Sequence, residues 1–311
     1  MMKQRFKSKP IKKKNKKFKF LFFVSLFLFS IYQTFQYLLK SNIKIDDKLL
    51  VQFMLDNLNK KNYNALDELI STIKDNYSPT KLLMTNYYNL PMEKETTTKV
   101  GKESSKDYLI YIYNTHQTEE YAANTFLEQQ VNPTVMMASY IMEDVFDKNG
   151  YQTLVEERKI KDILNENDWK YYRSYDASRI YLNDSKEKNP TLKYFIDVHR
   201  DSLTKEKTTV TIHDKSYAKI IFLLGLENPN YQENLDFMTK INDKMNEKYP
   251  NLSKGIYQKE GSGVNGVYNQ DNSKYTILVE IGGVDNTTDE VLNSTLAFTD
   301  CFMEVISNNE G

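Results

Sequence analysis

Three histidines occur in the chain, at positions 116, 199 and 213, and their surroundings differ. His116 stands in Tyr113-Asn-Thr-His116-Gln-Thr-Glu119-Glu120, and His199 in Phe195-Ile-Asp197-Val-His199-Arg200-Asp201, each where an apolar strand-like run gives way to polar residues. In open α/β sheets ligands bind beyond the carboxyl ends of the strands, so residues far apart in sequence meet there. Glu280 lies inside Thr276-Ile-Leu-Val-Glu280-Ile-Gly-Gly283, which reads as a buried central strand. An unpaired carboxylate in that setting costs several kcal/mol or takes up a proton. Two neutral imidazoles, one carboxylate from Glu119 or Glu120, and an open position for water compose the His₂Glu set of catalytic zinc sites, with Glu280 left as general base. Asp197, two residues before His199 and so on the same strand face, can orient that imidazole. Arg200 and Arg179 are candidates for stabilising an oxyanion or binding a substrate carboxylate. His213, followed by Asp214 between two strand-like runs, falls in a two-residue hairpin turn. Cys301, the one cysteine, sits among Phe298, Phe302 and Met303 and reads as a small buried hydrophobe, and an internal disulfide is impossible.

Elements that would position these residues alternate from about Asp107 onward: short strands with helices between them, the pattern of an α/β domain with an open, mostly parallel twisted sheet flanked by helices. Strands are expected at Tyr108 to Tyr113, Tyr151 to Val155, Lys193 to Val198, Thr208 to Ile212, Tyr217 to Leu224 and Tyr275 to Ile281, the turn at His213 making its two neighbours antiparallel. Asn132-Pro133 and Asn228-Pro229 each offer an N-cap and a first-turn proline, with Gly150 and Pro250 as stops. Thr287 with Glu290 forms a capping box for the last helix. The Gly261 to Gly266 loop lacks the Lys-Ser/Thr of a phosphate-binding loop and is expected at the rim of a cleft.

The first hundred residues have a different character. Residues 3–19 hold ten Lys and Arg and no acid, and Phe20 to Leu39 then runs twenty residues without a charge. A bilayer core needs about 20 residues of helix. The run exceeds a signal-peptide core and no small-residue cleavage pattern follows it, so an uncleaved transmembrane anchor is expected, its basic tail in the cytoplasm and the remainder outside. Residues 40–106 read as a helical spacer and linker, and 107–311 as the catalytic domain. Taking the ten tail charges and Lys40 from 42 basic residues leaves 31 against 42 acidic ones, a net charge of −11 outside. Such a surface excludes nucleic acid as the expected partner.

Five strings in order, Tyr113-Asn-Thr-His116-Gln-Thr-Glu119, Asp197-Val-His199-Arg-Asp201-Ser202, Lys207-Thr-Thr-Val-Thr-Ile212, Asn265-Gly-Val-Tyr-Asn-Gln-Asp271 and Val279-Glu280-Ile-Gly-Gly-Val-Asp-Asn286, resemble the stage II sporulation protein P family. The resemblance covers about Lys106 to Ile306. That family is a distant relative of the zinc N-acetylmuramoyl-L-alanine amidases, so the resemblance implies an amidase-like fold and a Zn2+ held by His116, Glu119 and His199. It implies cleavage of peptidoglycan between N-acetylmuramic acid and L-alanine, with endopeptidase action on cross-links, in the engulfment membrane of a sporulating cell beside stage II sporulation proteins D and M. Two departures stand out. The family commonly has a second histidine where Asn114 stands, and in the wider amidase group the Glu ligand opens the following helix, where this chain has Asn132 and Pro133. The rival expectations are a non-catalytic cell-wall binding module that recruits partners, and a metallo-carboxypeptidase of stem peptides.

Overall fold

A computed structural model describes residues 46–57, 107–124 and 132–310. The basic tail, the expected anchor at 20–39 and most of the stretch read as a spacer lie outside the described residues. No helix among the described residues is long and apolar enough to cross a membrane.

Six strands form one sheet in the order β2-β1-β3-β8-β6-β7, with β1 at Ile110–Tyr113, β2 at Thr153–Val155, β3 at Tyr194–Asp201, β6 at Ile220–Gly225, β7 at Ser253–Lys259 and β8 at Thr276–Gly283. Every pairing is parallel except β6 with β8. The mixed α/β architecture, with a mostly parallel sheet flanked by helices, therefore agrees with the sequence expectation. Side chains alternate across a strand, and this assigns the two faces. Ile110, Ile112, Ile196, Val198, Phe222, Ile277, Val279 and Ile281 enter the large core with helices α2 (Val135–Lys148), α6 (Tyr231–Lys248) and α7 (Thr288–Glu310). Tyr111, Tyr113 and Phe195 point the other way, onto Leu182 of α4 (Ser174–Lys188) and Leu192. Helix α1 (Asp47–Asn57), within the stretch read as a spacer, buries Leu50 and Val51 in the large core. The smaller helices α3 (Ile160–Glu166) and α5 (Lys205–Thr208) complete the set.

The hairpin of β4 (Thr209–Ile212) and β5 (Lys215–Ala218) is a separate antiparallel pair. Its turn is made by His213 and Asp214 at φ of +48° and +61°, the left-handed pair a two-residue hairpin demands. The strand expected from Tyr217 to Leu224 is in fact two. It breaks at Lys219, whose amide donates to Thr208 and whose carbonyl accepts from Gly282, so the chain leaves the hairpin and enters the main sheet there. Likewise β3 runs past the expected end at Val198 to Asp201, with a register shift against β8 between His199 and Asp201.

Both Asn-Pro expectations for helix starts shift by two residues. Thr134, not Asn132, caps α2 by accepting from the Met136 amide at 3.2 Å, while Asn132 takes φ of +49° ahead of it. Asn228 folds a local turn, accepting from the Asn230 amide at 2.9 Å, and α6 starts only at Tyr231. The box of α7 forms as expected: the Thr287 amide donates to Glu290 Oε2 at 3.0 Å and the Glu290 amide to Thr287 Oγ1 at 3.2 Å. Thr287→Ala removes one arm of this pair and should lower the unfolding free energy by about 1 kcal/mol. In urea titrations this appears as a lower midpoint with an unchanged slope.

Candidate active site

The register between β3 and β8 sets His199 directly beside Glu280 on one face of the sheet. On that same face Asp197 lies two residues before His199 and opposite Tyr113 of β1. The turn after β1 carries His116 and is pinned to β3 in three places. The Thr115 amide donates to Asp197 Oδ1 at 2.9 Å, Thr115 Oγ1 to Asp197 Oδ2 at 2.7 Å, and Asn114 Nδ2 to the Val198 carbonyl at 2.8 Å. Asn114 in turn accepts from Ser139 of α2 at 2.9 Å. The asparagine that stands where the family often has a histidine is thus a buried strap between β1, β3 and α2.

These constraints bring the two imidazoles together, ring centres 5.2 Å apart and nearly perpendicular. Asp197 Oδ1 lies 2.9 Å from His199 Nε2, an ion pair when that ring is protonated. His116 Nδ1, also buried, has no hydrogen-bond partner. An orphaned buried polar atom costs about 1–3 kcal/mol, a cost that His116 Nδ1 carries and that the Asp197 carboxylate relieves at His199 Nε2.

The carboxylate next to the pair is that of Glu119. Its Oε2 stands 3.7 Å from His199 Nδ1 and accepts from the Arg200 amide at 3.1 Å. Glu120 is exposed and bridges Thr134 in antiparallel fashion. Because the Val135 amide donates to the Glu119 carbonyl at 2.9 Å, Glu119 stands at the start of α2 in space although not in sequence. The departure noted above stands, since α2 itself opens with Thr134 and Val135 and has no acid in its first turn. Among the described residues no three His, Cys, Asp or Glu side chains stand in a closed ligating arrangement, the Glu119 carboxylate being turned toward the Arg200 amide.

Electrostatics differentiate these groups. Burial pushes Glu280 up to about 7, reinforced by Asp201, while His199 and Lys259 oppose the shift. Burial, together with the neighbouring His199, lowers His116 to about 4. Burial alone would depress His199 too, but Asp197, Glu119 and Glu280 override it and raise the group to about 9.

Neither arginine candidate points freely into the cluster. The Arg200 guanidinium is bonded to the carbonyls of Glu120 at 2.7 Å and Asp201 at 3.1 Å, and Arg179 is ion-paired with Asp271. His213 is exposed in its hairpin turn. Cys301 is fully buried in the core, its thiol pushed up to about 12 by burial. Sequence reasoning missed the aromatic wall. Tyr175 of α4 lies edge-on to His116 at 5.5 Å and parallel to His199 at 6.2 Å, and Tyr171 stacks on His116 at 4.9 Å. Tyr268, just past the Gly261–Gly266 loop, packs against Tyr175 at 5.3 Å, which puts that loop beside the site. The signal was the aromatic density of Trp169-Lys-Tyr-Tyr-Arg-Ser-Tyr175.

The profile of the stage II sporulation protein P (SpoIIP) family matches residues 36–303. The stage II sporulation protein P of Bacillus subtilis (strain 168) is 33% identical over 256 residues, covering 71% of this chain and 63% of the relative, so the chain spans less than two thirds of that protein's length. Among solved structures, the CwlD amidase from Clostridioides difficile in complex with the GerS lipoprotein overlaps at a TM-score of 0.41 with 11% identity, over 64% of this chain and 99% of that one. A metallo-carboxypeptidase from Burkholderia cenocepacia overlaps at 0.39 with 8% identity, over 68% of this chain and 60% of that one. Overlaps at these scores bear on neither activity nor ligand.

Titration by NMR of the chelator-treated protein should separate the two imidazoles, one losing its proton near pH 4 and the other near pH 9. Asp197→Asn removes the largest cause that raises His199, so its titration should move down toward the ordinary histidine range while the His116 signal stays acidic.

Proposed function

The chain belongs to the stage II sporulation protein P family, and from that premise we propose that it is a zinc-dependent peptidoglycan hydrolase. The amide it cleaves joins N-acetylmuramic acid to L-alanine of the stem peptide, during engulfment in sporulation. The observation that supports this most is the meeting of His116 and His199, ring centres 5.2 Å apart, with the Glu119 carboxylate 3.7 Å from His199 Nδ1. Neutral imidazole nitrogens and a carboxylate are the donor set that zinc takes in hydrolases. His116, His199 and Glu119 would hold the ion, and Asp197 with Tyr175 would keep the two rings in place. Zinc bound there supplies a Lewis acid for the scissile carbonyl and makes a nearby water more acidic.

The remaining work falls to Glu280. An ordinary glutamate is too weak a base at neutral pH, whereas one raised to about 7 accepts a proton readily and returns it readily. Glu280 takes the proton of the attacking water and delivers it to the leaving amide nitrogen, which departs as the free amino group of L-alanine. Only the ionised form serves as base, so kcat/KM should rise with pH as Glu280 loses its proton, at or below the value of about 7 that it has without metal, and level off above it.

The basic tail and apolar run support a single-pass protein with the catalytic domain outside the cytoplasmic membrane, in the intermembrane space of the sporangium. Stage II sporulation proteins D and M are its partners by family resemblance, and peptide cross-links are a second substrate on the same basis.

His116→Ala and His199→Ala should each lose zinc by elemental analysis. Glu280→Gln keeps volume and metal but removes the basic oxygen, so turnover on purified peptidoglycan should fall by at least about a hundredfold. A folded, zinc-loaded Glu280→Gln protein working near the parent rate would refute the assignment. Mass spectrometry of the products separates the chemistries, with intact stem peptides bearing a free L-alanine amine expected from the amidase and single amino acids from a carboxypeptidase.

A further inference from the structure

We propose that Asp47, on helix α1, is a positioning residue for Glu119; the inference rests on the reading of Glu119 as a metal ligand. Asp47 lies 87 residues before Thr134 and grips it at two points, Oδ1 accepting from the Thr134 amide at 3.0 Å and Oδ2 from the Thr134 hydroxyl at 2.6 Å. Capping does not require this grip, because Thr134 Oγ1 already caps α2 through the Met136 amide. What the Asp47 carboxylate adds is a fixed direction for both polar groups of Thr134.

That residue is one rung of a short antiparallel ladder that carries the glutamate. Thr134 pairs with Glu120, the Tyr121 amide donates to the Pro133 carbonyl at 2.7 Å, and the Val135 amide donates to the Glu119 carbonyl at 2.9 Å. On its far side the same segment is held by Arg200, whose Nε donates to the Glu120 carbonyl and whose amide donates to the Glu119 carboxylate. The Glu119 segment is therefore clamped between β3 and α1. Leu50 and Val51 seat α1 in the core, so Asp47 reaches Thr134 from a rigid support. The carboxylate of Asp47, on a helix that the sequence places in a spacer, thus holds the segment that carries Glu119.

Residues that orient metal ligands from one shell out typically contribute tenfold to a hundredfold in affinity. In the full-length protein, Asp47→Ala should weaken zinc binding by at least about tenfold in competition with a chelator. In the metal-free protein it should also speed amide exchange in peptides covering 117–124 and 132–140. Leu50→Ala is the control, a core truncation on the same helix that leaves the carboxylate intact. It should lower the melting temperature at least as much as Asp47→Ala while sparing zinc affinity and exchange at those two segments. Unchanged exchange in Asp47→Ala, faster exchange with zinc affinity unchanged, or an equal zinc loss in Leu50→Ala would each overturn the proposal. Absence of zinc binding by the parent would instead strike at the proposed function, and the exchange comparison would still decide whether Asp47 holds the Glu119 segment.

Discussion

Asp197 carries its carboxylate into the sheet with no solvent exposure, and the rest of the site depends on how that charge is satisfied. A buried carboxylate is costly unless it is hydrogen-bonded and paired. Both needs are met by the groups the site must hold. Thr115 supplies two hydrogen bonds and thereby fixes the turn bearing His116, and the His199 ring supplies positive charge at 2.9 Å. One side chain thus sets the position of one histidine and the protonation of the other. His199 cannot swing away without costing Asp197 a partner, and the turn that bears His116 is held by the two bonds from Thr115.

Around that charge the site concentrates acidic groups on one face. Glu119 and Glu280 act on His199 together with Asp197, and Asp201 acts on Glu280. Asp197, Glu119 and Glu280 raise His199 to about 9, and burial with Asp201 raises Glu280 to about 7, so both groups take up protons more readily than usual. A divalent cation in the same place would displace the imidazolium proton and relieve the repulsion on Glu280 at once. Under the proposed function, metal affinity and the strength of the base would be coupled through these charges, as ligation is generally linked to proton release.

Much of this was legible in the sequence, and the parts that were not share a cause. His116, His199 and Glu280 stood out because each interrupts or ends an apolar run, and the box of Thr287 with Glu290 is a local pattern that local physics completes. The strand β7 was invisible because Ser253 to Lys259 is an edge strand of mostly polar residues containing a glycine at φ of +92°. Helix α4 was passed over because its buried face includes Ala177, Ser178 and Ser185, small or polar side chains that leave no apolar stripe. The place of Glu119 at the start of α2, and the reach of Asp47 to Thr134, depend on pairings between segments that no spacing encodes. The same holds for Tyr175, which faces the histidines only because α4 crosses that side of the sheet.

The central claim is that His116 and His199, steered by Asp197, are partners for one metal ion. X-ray absorption at the zinc edge of the loaded protein tests it most directly. The account predicts a shell of nitrogen and oxygen at about 2.0–2.1 Å with the outer-shell scattering of two imidazoles and no sulfur. A shell containing sulfur at about 2.3 Å, or one lacking imidazole scattering, would contradict it.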